Sequence, residues 1–396
     1  MQTTDDPLRI AVVGAGPVGL ALALLAAARL PAARITLFDA RAAEADVAAD
    51  ARTLALSLGS IQLLQRLGVW PAAAAEPIRE VHVSQVASGP LPARPVRIRA
   101  IDEGVPQLGA VLGYGALLAP LQRAWLQACA DAPQRCAMRF SAPVAGLKGV
   151  ADGVEVDAGI AETFDLAVIA EGSVFADRAR KPLSFGYRQR AWVGQVRLDG
   201  ARRGLAIERF TAAGPLALLP LPPAADGTLV AALVWCVATD DDPVAESGDA
   251  ARLSMLGSLL PADAGRVVGV SPLKAFDLGL NAELRLVRGR TVRIGHAAQT
   301  LHPVAGQGLN LGLRDVYGLV QALRDDQAPL ARRLLRVECS RAVDRWGTLA
   351  WTDLLARSFS WRGAAPAALR TAALGALDLA GPLKSRLARQ MMFGPR

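Results

Sequence analysis

Apolar residues run in short unbroken stretches near the start of the chain and give way to alternation further on. Residues 9–13 (RIAVV) predict a buried strand, followed at once by Gly14-Ala15-Gly16-Pro17-Val18-Gly19 and an Ala/Leu-rich helix to about Leu30. Residues 35–38 predict a second strand that ends on Asp39. Between 50 and 70 an arginine, Arg52, precedes a helix whose apolar positions are Leu56, Ile61, Leu63, Leu64 and Leu67. Residues 80–86 and 95–101 alternate, as strands of a separate antiparallel sheet covering a cavity would, and 117–130 read as a helix returning to the first domain with Gln122 on it. A strand then ends on Glu171-Gly172. Residues 191–237 are strand-rich, with a hairpin either side of 220–227, before a surface helix at 246–260 and a strand at 273–280. Residues 292–316 read as a strand, a loop ruled by Pro303, Gly306 and Gly308, and a helix from about Leu309. From Leu319 onward the pattern is helical, with Trp346, Trp351, Phe359 and Trp361 spaced like packing residues.

Length and composition bound these elements. The 396 residues, 52% of them hydrophobic, suffice for two domains around one large core. No apolar run reaches the roughly 18 to 20 residues of a membrane span, and the polar start is no signal peptide, so a cytoplasmic protein is expected. Four scattered cysteines without a CxxC predict reduced thiols and no metal site. Thirteen Lys/Arg against six Asp/Glu from Gln321 onward place seven of the eight net positive charges in the last fifth of the chain. That region is either a solvated Arg-rich helical face or a dock for an anionic surface; no aromatic-and-basic motif accompanies it, so nucleic acid is not expected as a partner.

Candidate chemistry lies in three segments. Gly14, Gly16 and Gly19 between a strand and a helix, with Asp39 about twenty residues further on, form the complete dinucleotide fingerprint. Arg41 leaves a 2′-phosphate open, and Arg52 is either a helix-start residue or a second diphosphate ligand. Glu171-Gly172 puts a carboxylate and a flexible backbone at the carboxyl edge of a sheet, where ligands of open α/β sheets bind. The loop at 303–308 leads into a helix N-terminus whose free N–H groups favour a negative group, and Gly306 and Gly308 let the backbone approach it.

Taken together, GAGPVG with Asp39, AEG at 170–172 and GHAAQTLHPVAGQGLNLGLRD at 295–315 resemble the three FAD motifs of the single-component aromatic hydroxylases, the group of 4-hydroxybenzoate hydroxylase. AAQTLHPVAGQGLNLGLRDV, with Gln299 and His302, and DRWGTLAWTDLLARSFS at 344–360 look like the ubiquinone-biosynthesis branch, nearest the 2-polyprenyl-6-methoxyphenol hydroxylases. Two positions depart from the family pattern: Glu171 stands where Asp is usual, and His296 where an Asp touches the ribityl chain.

The resemblance implies an α/β fold: a Rossmann-like FAD-binding domain (1–76, 104–180 and 270–320), an inserted antiparallel-sheet substrate domain (77–103 and 181–269) and a helical C-terminal region (321–396). It implies FAD held by Gly14, Gly16, Gly19, Asp39, Arg52, Gln122, Glu171, Gly172, Gly295, His296, Gly306, Gly308, Leu309 and Asn310. Pro303, Gly306, Gln307 and Gly308 would form the flavin-ring environment, and His302 either lines the active site or is a structural hydrogen-bonder. In such enzymes NAD(P)H reduces FAD, the flavin captures O2 as its C4a-hydroperoxide, and one oxygen passes to the ring of an electron-rich phenol. The substrate implied is a polyprenyl phenol. It lives in the bilayer, so either the basic C-terminal region (367–393) docks on the inner face of the cytoplasmic membrane or other ubiquinone-biosynthesis proteins deliver it. A non-catalytic flavin- or lipid-binding scaffold, and a hydroxylase of another phenol, are the alternative readings.

Overall fold

The computed structural model describes residues 7–50, 52–86, 95–171, 181–303, 306–325, 327–360 and 364–394. Its helices are α1 (Pro17–Arg29), α2 (Leu58–Arg66), α3 (Tyr114–Asp131), α4 (Asp249–Leu259), α5 (Gln307–Leu323), α6 (Leu330–Ser360), α7 (Ala364–Leu379) and α8 (Gly381–Phe393).

One layer is a six-stranded sheet in the order Val287–Arg288, Thr291–Arg293, Leu166–Ile169, Arg9–Val13, Arg34–Phe38, Cys136–Arg139. All its pairings are parallel except that of Val287–Arg288 with Thr291–Arg293. Parallel neighbours need a crossover, and α1 supplies it between the first two strands of the chain. Both faces of the two central strands are covered, so Leu166–Ile169 and residues 10–13 are apolar and buried throughout. Ile10 and Val12 join the core formed with α1, α3, α5 and the start of α6. Ala11 and Val13 face the other way, onto Phe38, Val154 and Phe164. The latter two belong to a meander of Gly146–Val150, Gly153–Asp157 and Ala161–Phe164 that the hydrophobic pattern did not announce.

The second layer is a nine-stranded sheet in the order Gln299–Thr300, Lys274–Ala282, Leu183–Asp199, Leu229–Ala238, Pro215–Leu221, Leu205–Phe210, Glu80–Gln85, Val96–Arg99, with Arg266–Val270 also on Leu183–Asp199. One face packs on α4 through Leu216, Leu218, Leu233 and Trp235. The other looks toward α6, α7, α8 and the first layer.

Three expectations need correction. Lys274–Ala282, assigned above to the cofactor domain, pairs along Leu183–Asp199 in the large sheet, because its long antiparallel register satisfies more backbone groups there. Glu80–Gln85 enters that sheet parallel to Leu205–Phe210, which a chain segment arriving from far away permits. The segment read as one helix after Arg52 first runs as the strand Thr53–Ser57, pairing with Gly109–Gly113, and only then becomes α2. The strand stops at Ser57, whose Oγ accepts the Ser60 N–H and caps the helix.

Candidate active site

The first-strand turn is built by glycines with distinct tasks. Gly14 has φ of 100°, a conformation that disfavours side chains, and a Cβ there would sit 2.7 Å from Glu171 Cγ. A Cβ on Gly19 would lie 1.9 Å from the Gly14 carbonyl oxygen, so glycine lets α1 press on the turn. A Cβ on Gly16 would meet only the Tyr114 hydroxyl, at 3.6 Å; space is open beside the N-terminus of α1, which Gly16 opens without any side-chain cap. Free N–H groups beside open space fit a diphosphate.

Asp39 ends the second strand and is buried. Its Oδ2 accepts from Ala15 N–H at 2.6 Å and from Arg41 Nη2 at 3.2 Å, and its Oδ1 accepts from Arg41 N and Nε at 2.8 and 2.9 Å. Those four bonds fill the usual acceptor sites of a carboxylate, so a ribose hydroxyl reaches Asp39 only if the Arg41 side chain yields. Arg52 is exposed; it pairs with Asp50 at 2.7 Å and lies 4.1 Å from the centre of the Tyr114 ring, whose hydroxyl faces Gly16. The arginine thus stands one side chain away from the diphosphate cradle. Gln122, on α3, buries an Oε1 with no hydrogen-bond partner.

Glu171 lies against Gly14, and its buried Oε2 also has no partner. Burial, and then the nearby Asp39 carboxylate, push its carboxyl above the ordinary range. Gly172 lies outside the described residues.

The third segment meets the first at Gly295. Here φ is 59°, and a Cβ on Gly312 of α5 would sit 2.9 Å from Val18 of α1 and 3.0 Å from Gly295 Cα. Small residues therefore bring α1, α5 and this loop together. His296 is exposed; its carbonyl accepts from the buried Lys181 Nζ at 2.8 Å, and its Nε2 lies 3.5 Å from where a Cβ on Gly308 would project. The imidazole stands over the first turn of α5. Pro303 is exposed and its carbonyl accepts from the Gly306 N–H at 3.0 Å; Gly306, at φ of 58°, opens α5 with no side-chain cap. Gln307 is buried, and Gly308 and Leu309 are half-buried.

Asn310 and His302 take positions that narrow their roles. Asn310 Nδ2 donates to Gly306 O at 2.8 Å and Ala55 O at 3.1 Å, and its Oδ1 accepts from Ser57 N and Ser60 Oγ, both at 2.8 Å. Its side chain is fully used tying α5 to Thr53–Ser57, so it positions the helix N-terminus and has no group left for a cofactor. His302 is fully buried, 3.0 Å from Gln189 Oε1 through Nε2 and edge-on to the Tyr187 ring. Burial pushes its imidazole down to about 4, so it is neutral near pH 7.

Tyr114, Gln189, Ser57 and Ser60 were not singled out from the sequence. Their distant partners lie about 60 to 250 residues away, and only Ser57 carried a local signal, as a cap residue. Among the described residues no cluster of His, Cys, Asp and Glu could hold a metal ion.

No protein-family model matches the chain. A ubiquinone hydroxylase, UbiL, of Rhodospirillum rubrum is 31% identical over 98% of this chain and 90% of its own length. The 3-demethoxyubiquinol 3-hydroxylase of Escherichia coli is 28% identical, covering 96% and 97%. In fold, the chain is similar to p-nitrophenol 4-monooxygenase PnpA of Pseudomonas putida, with a TM-score of 0.74, 15% identity and coverage of 98% and 99%. It is likewise similar to Klebsiella pneumoniae HpxO, solved with FAD and uric acid, at a TM-score of 0.71, 17% identity and coverage of 96% and 97%. With a relative this similar along nearly its whole length, and a fold shared with flavin hydroxylases, the chain belongs to the ubiquinone-biosynthesis family of FAD-dependent monooxygenases.

Proposed function

We propose that this chain hydroxylates the aromatic ring of a polyprenylated phenol on the route to ubiquinone, with FAD as cofactor, NAD(P)H as electron donor and O2 as oxidant. The observation that supports it is the meeting of two uncapped helix N-termini, those of α1 and α5, around Gly295 and beside the inner face of the large sheet. FAD would rest its diphosphate on the 14–19 turn and its adenosine ribose against Asp39, with its ring near 303–308. Bound there, FAD supplies the reduction and oxygen activation that side chains lack. The chain's own residues do the rest. The N–H groups that begin α5 would stabilise negative charge on a flavin ring held there, and Asn310 holds that turn in place. Apolar clusters around Ala55 and Leu280 keep water from the space between the layers.

A polyprenyl phenol partitions into the bilayer, and no helix among the described residues is long and apolar enough to cross a membrane. Leu369, Leu379 and Leu383 are exposed on α7 and α8, with Arg386 and Arg389 exposed nearby. This mix suits a helix pair resting on an anionic membrane surface.

The purified protein should show a flavin absorption spectrum, or acquire one with added FAD. It should consume NAD(P)H when given a soluble short-chain methoxyphenol and insert one labelled oxygen from O2. A flavin-loaded protein that oxidises no phenol would leave the scaffold reading; failure to take up FAD would sink the assignment.

A further inference from the structure

Glu208 is a carboxyl that the cofactor site does not use. It lies on the strand Leu205–Phe210, where side chains alternate between the two faces of the large sheet. Leu205 and Ile207 face α4. Ala206 faces the inner side, in the cluster with Ala55, Ala388 and Met392, and so does Phe210, against Leu355 of α6. Glu208 lies between these two on the inner face, level with Val83 and Ala217 on the neighbouring strands and Val234 beyond.

Two contacts link the surroundings of that face to the proposed flavin ring site. Ala55, which stands on the separate strand Thr53–Ser57 and packs in one apolar cluster with Ala206, lies 3.4 Å from where a Cβ on Gly306 would project. Further along the same face, Gln189 bonds His302, the neighbour of Pro303. Burial desolvates the Glu208 side chain, yet it is half-buried and keeps accessible surface. Among the described residues it receives no side-chain hydrogen bond and no ion pair.

We infer that Glu208 is the catalytic proton acceptor for the phenolic hydroxyl of the substrate, an inference that rests on the hydroxylase reading above. The carboxylate takes the proton as the O–H bond breaks, and the electron pair left on oxygen enriches the ring carbon that receives the new oxygen. When aromaticity returns, that carbon's own proton leaves to water and Glu208 gives back the proton it took.

Burial alone pushes the Glu208 carboxyl up to about 8, nearer to a phenol's value of about 10 than an ordinary carboxylate is. The surrounding titratable groups are otherwise engaged or on the far side. Cys236 shares the face, its thiol pushed up by burial and by Glu208 itself. Arg370 of α7 is held on Gln85 at 3.4 Å, and Asp353 and Arg357 of α6 pair with each other. Arg389 of α8 pairs with Glu103 at 3.4 Å. Lys274 lies at the end of the same cross-strand row, four strands away. Arg209 points to the opposite face, onto Ser84.

The test uses the full-length, FAD-loaded protein, Glu208→Gln and Glu208→Asp, and a soluble short-chain methoxyphenol. In the unchanged protein, kcat/KM should rise with pH through about 8 as the carboxylate forms. Glu208→Gln should lose that rise and at least about a hundredfold in rate while keeping its FAD. Glu208→Asp should restore part of both. An independent readout is thermal. A carboxyl raised in the folded state stabilises below its unfolded value, and that stability is lost as pH rises through its folded value. The fall in Tm between about pH 4.5 and 8 should therefore shrink in Glu208→Gln. Full activity and an unchanged pH profile in Glu208→Gln would overturn the proposal, as would a rate loss with the pH profile unchanged and Tm lowered at every pH. If the unchanged protein oxidises no phenol, the hydroxylase reading fails and Glu208 fails with it, whereas a normal Glu208→Gln in a working enzyme removes Glu208 alone.

Discussion

Gly16 and Gly19, three positions apart in one turn, differ in what a methyl group would meet. At Gly19 it would meet the Gly14 carbonyl at 1.9 Å, and backbone cannot move aside cheaply. Gly19→Ala should lower the stability of the flavin-free protein by about 1 to 3 kcal/mol, the usual cost of overpacking, measured by urea unfolding. At Gly16 there is room, so Gly16→Glu should leave flavin-free unfolding nearly unchanged and abolish FAD retention by setting a carboxylate against the diphosphate. Equal FAD content in both proteins would refute the placement. His302 makes a second residue-scale prediction. Its imidazole is depressed to about 4 from an ordinary 6.5, so the unfolded chain takes up the proton first as pH falls. Its contribution is complete above pH 6.5 and is lost between there and about 4, amounting to roughly 3 kcal/mol at the bottom of the window. His302→Gln should flatten that part of the stability profile; an unaltered slope would show that other groups carry it.

At the scale of elements, α5 is held between the cofactor loop and α6 by a buried ionic network. Arg341 Nε lies 2.8 Å from Asp315 Oδ1, and Asp344 accepts from Arg341 at 2.6 Å and from Arg314 at 2.8 Å. Asp315 is 1% exposed, and burial, partly offset by Arg341, pushes its carboxyl up. One turn along α6, Arg345 donates to Gln299 Oε1 at 2.7 Å and to the Glu283 carbonyl. The pair orients α6 more than it stabilises the fold, since desolvation offsets most of the attraction. Removing one partner leaves a charge buried alone, so Arg341→Ala should cost about 3 to 5 kcal/mol, whereas replacing Arg341 and Asp315 together by apolar residues should cost much less. Unfolding curves for the two variants would decide it, and equal losses would count against a desolvated pair. The helical pattern from Leu319 onward had suggested packing by Trp346 and Trp351, but both are exposed. The buried contacts of that helix are instead Leu334, Val337, Leu349 and these arginines, which a hydrophobic pattern cannot display.

The whole molecule shows how the C-terminal region divides. Ala388 and Met392 of α8 are core residues beside Ala206 and Ala232, and Ser385 bonds Glu103 at 2.6 Å, so the end of the chain closes the space next to Ala55. Leu369, Leu379 and Leu383 face outward. Deleting residues 367–396 should therefore lose turnover of soluble and liposome-borne phenols alike, because it uncovers core. Leu369→Glu with Leu379→Glu should keep soluble turnover and lose the liposome substrate, and in the unchanged protein liposome turnover should fall as salt rises. If both substrates are handled normally by the double variant, these leucines do not meet the membrane.

Local order along the chain was sufficient for the dinucleotide turn, its helix, Asp39 and the strand-to-helix passage at α5, because each rests on neighbours within a few residues and on backbone rules that glycine makes visible. It also sufficed for the existence of a strand-rich second region. What it could not reach were facts set by contacts between distant segments: that Lys274–Ala282 belongs to the large sheet, that Arg41 fills Asp39, that Asn310 is spent on Ser57 and Ser60, and that Glu208 faces inward. A strand's partner and the face it buries are chosen by which pairing satisfies the backbone and hides the most apolar surface, and that choice exists only once all the strands are present together.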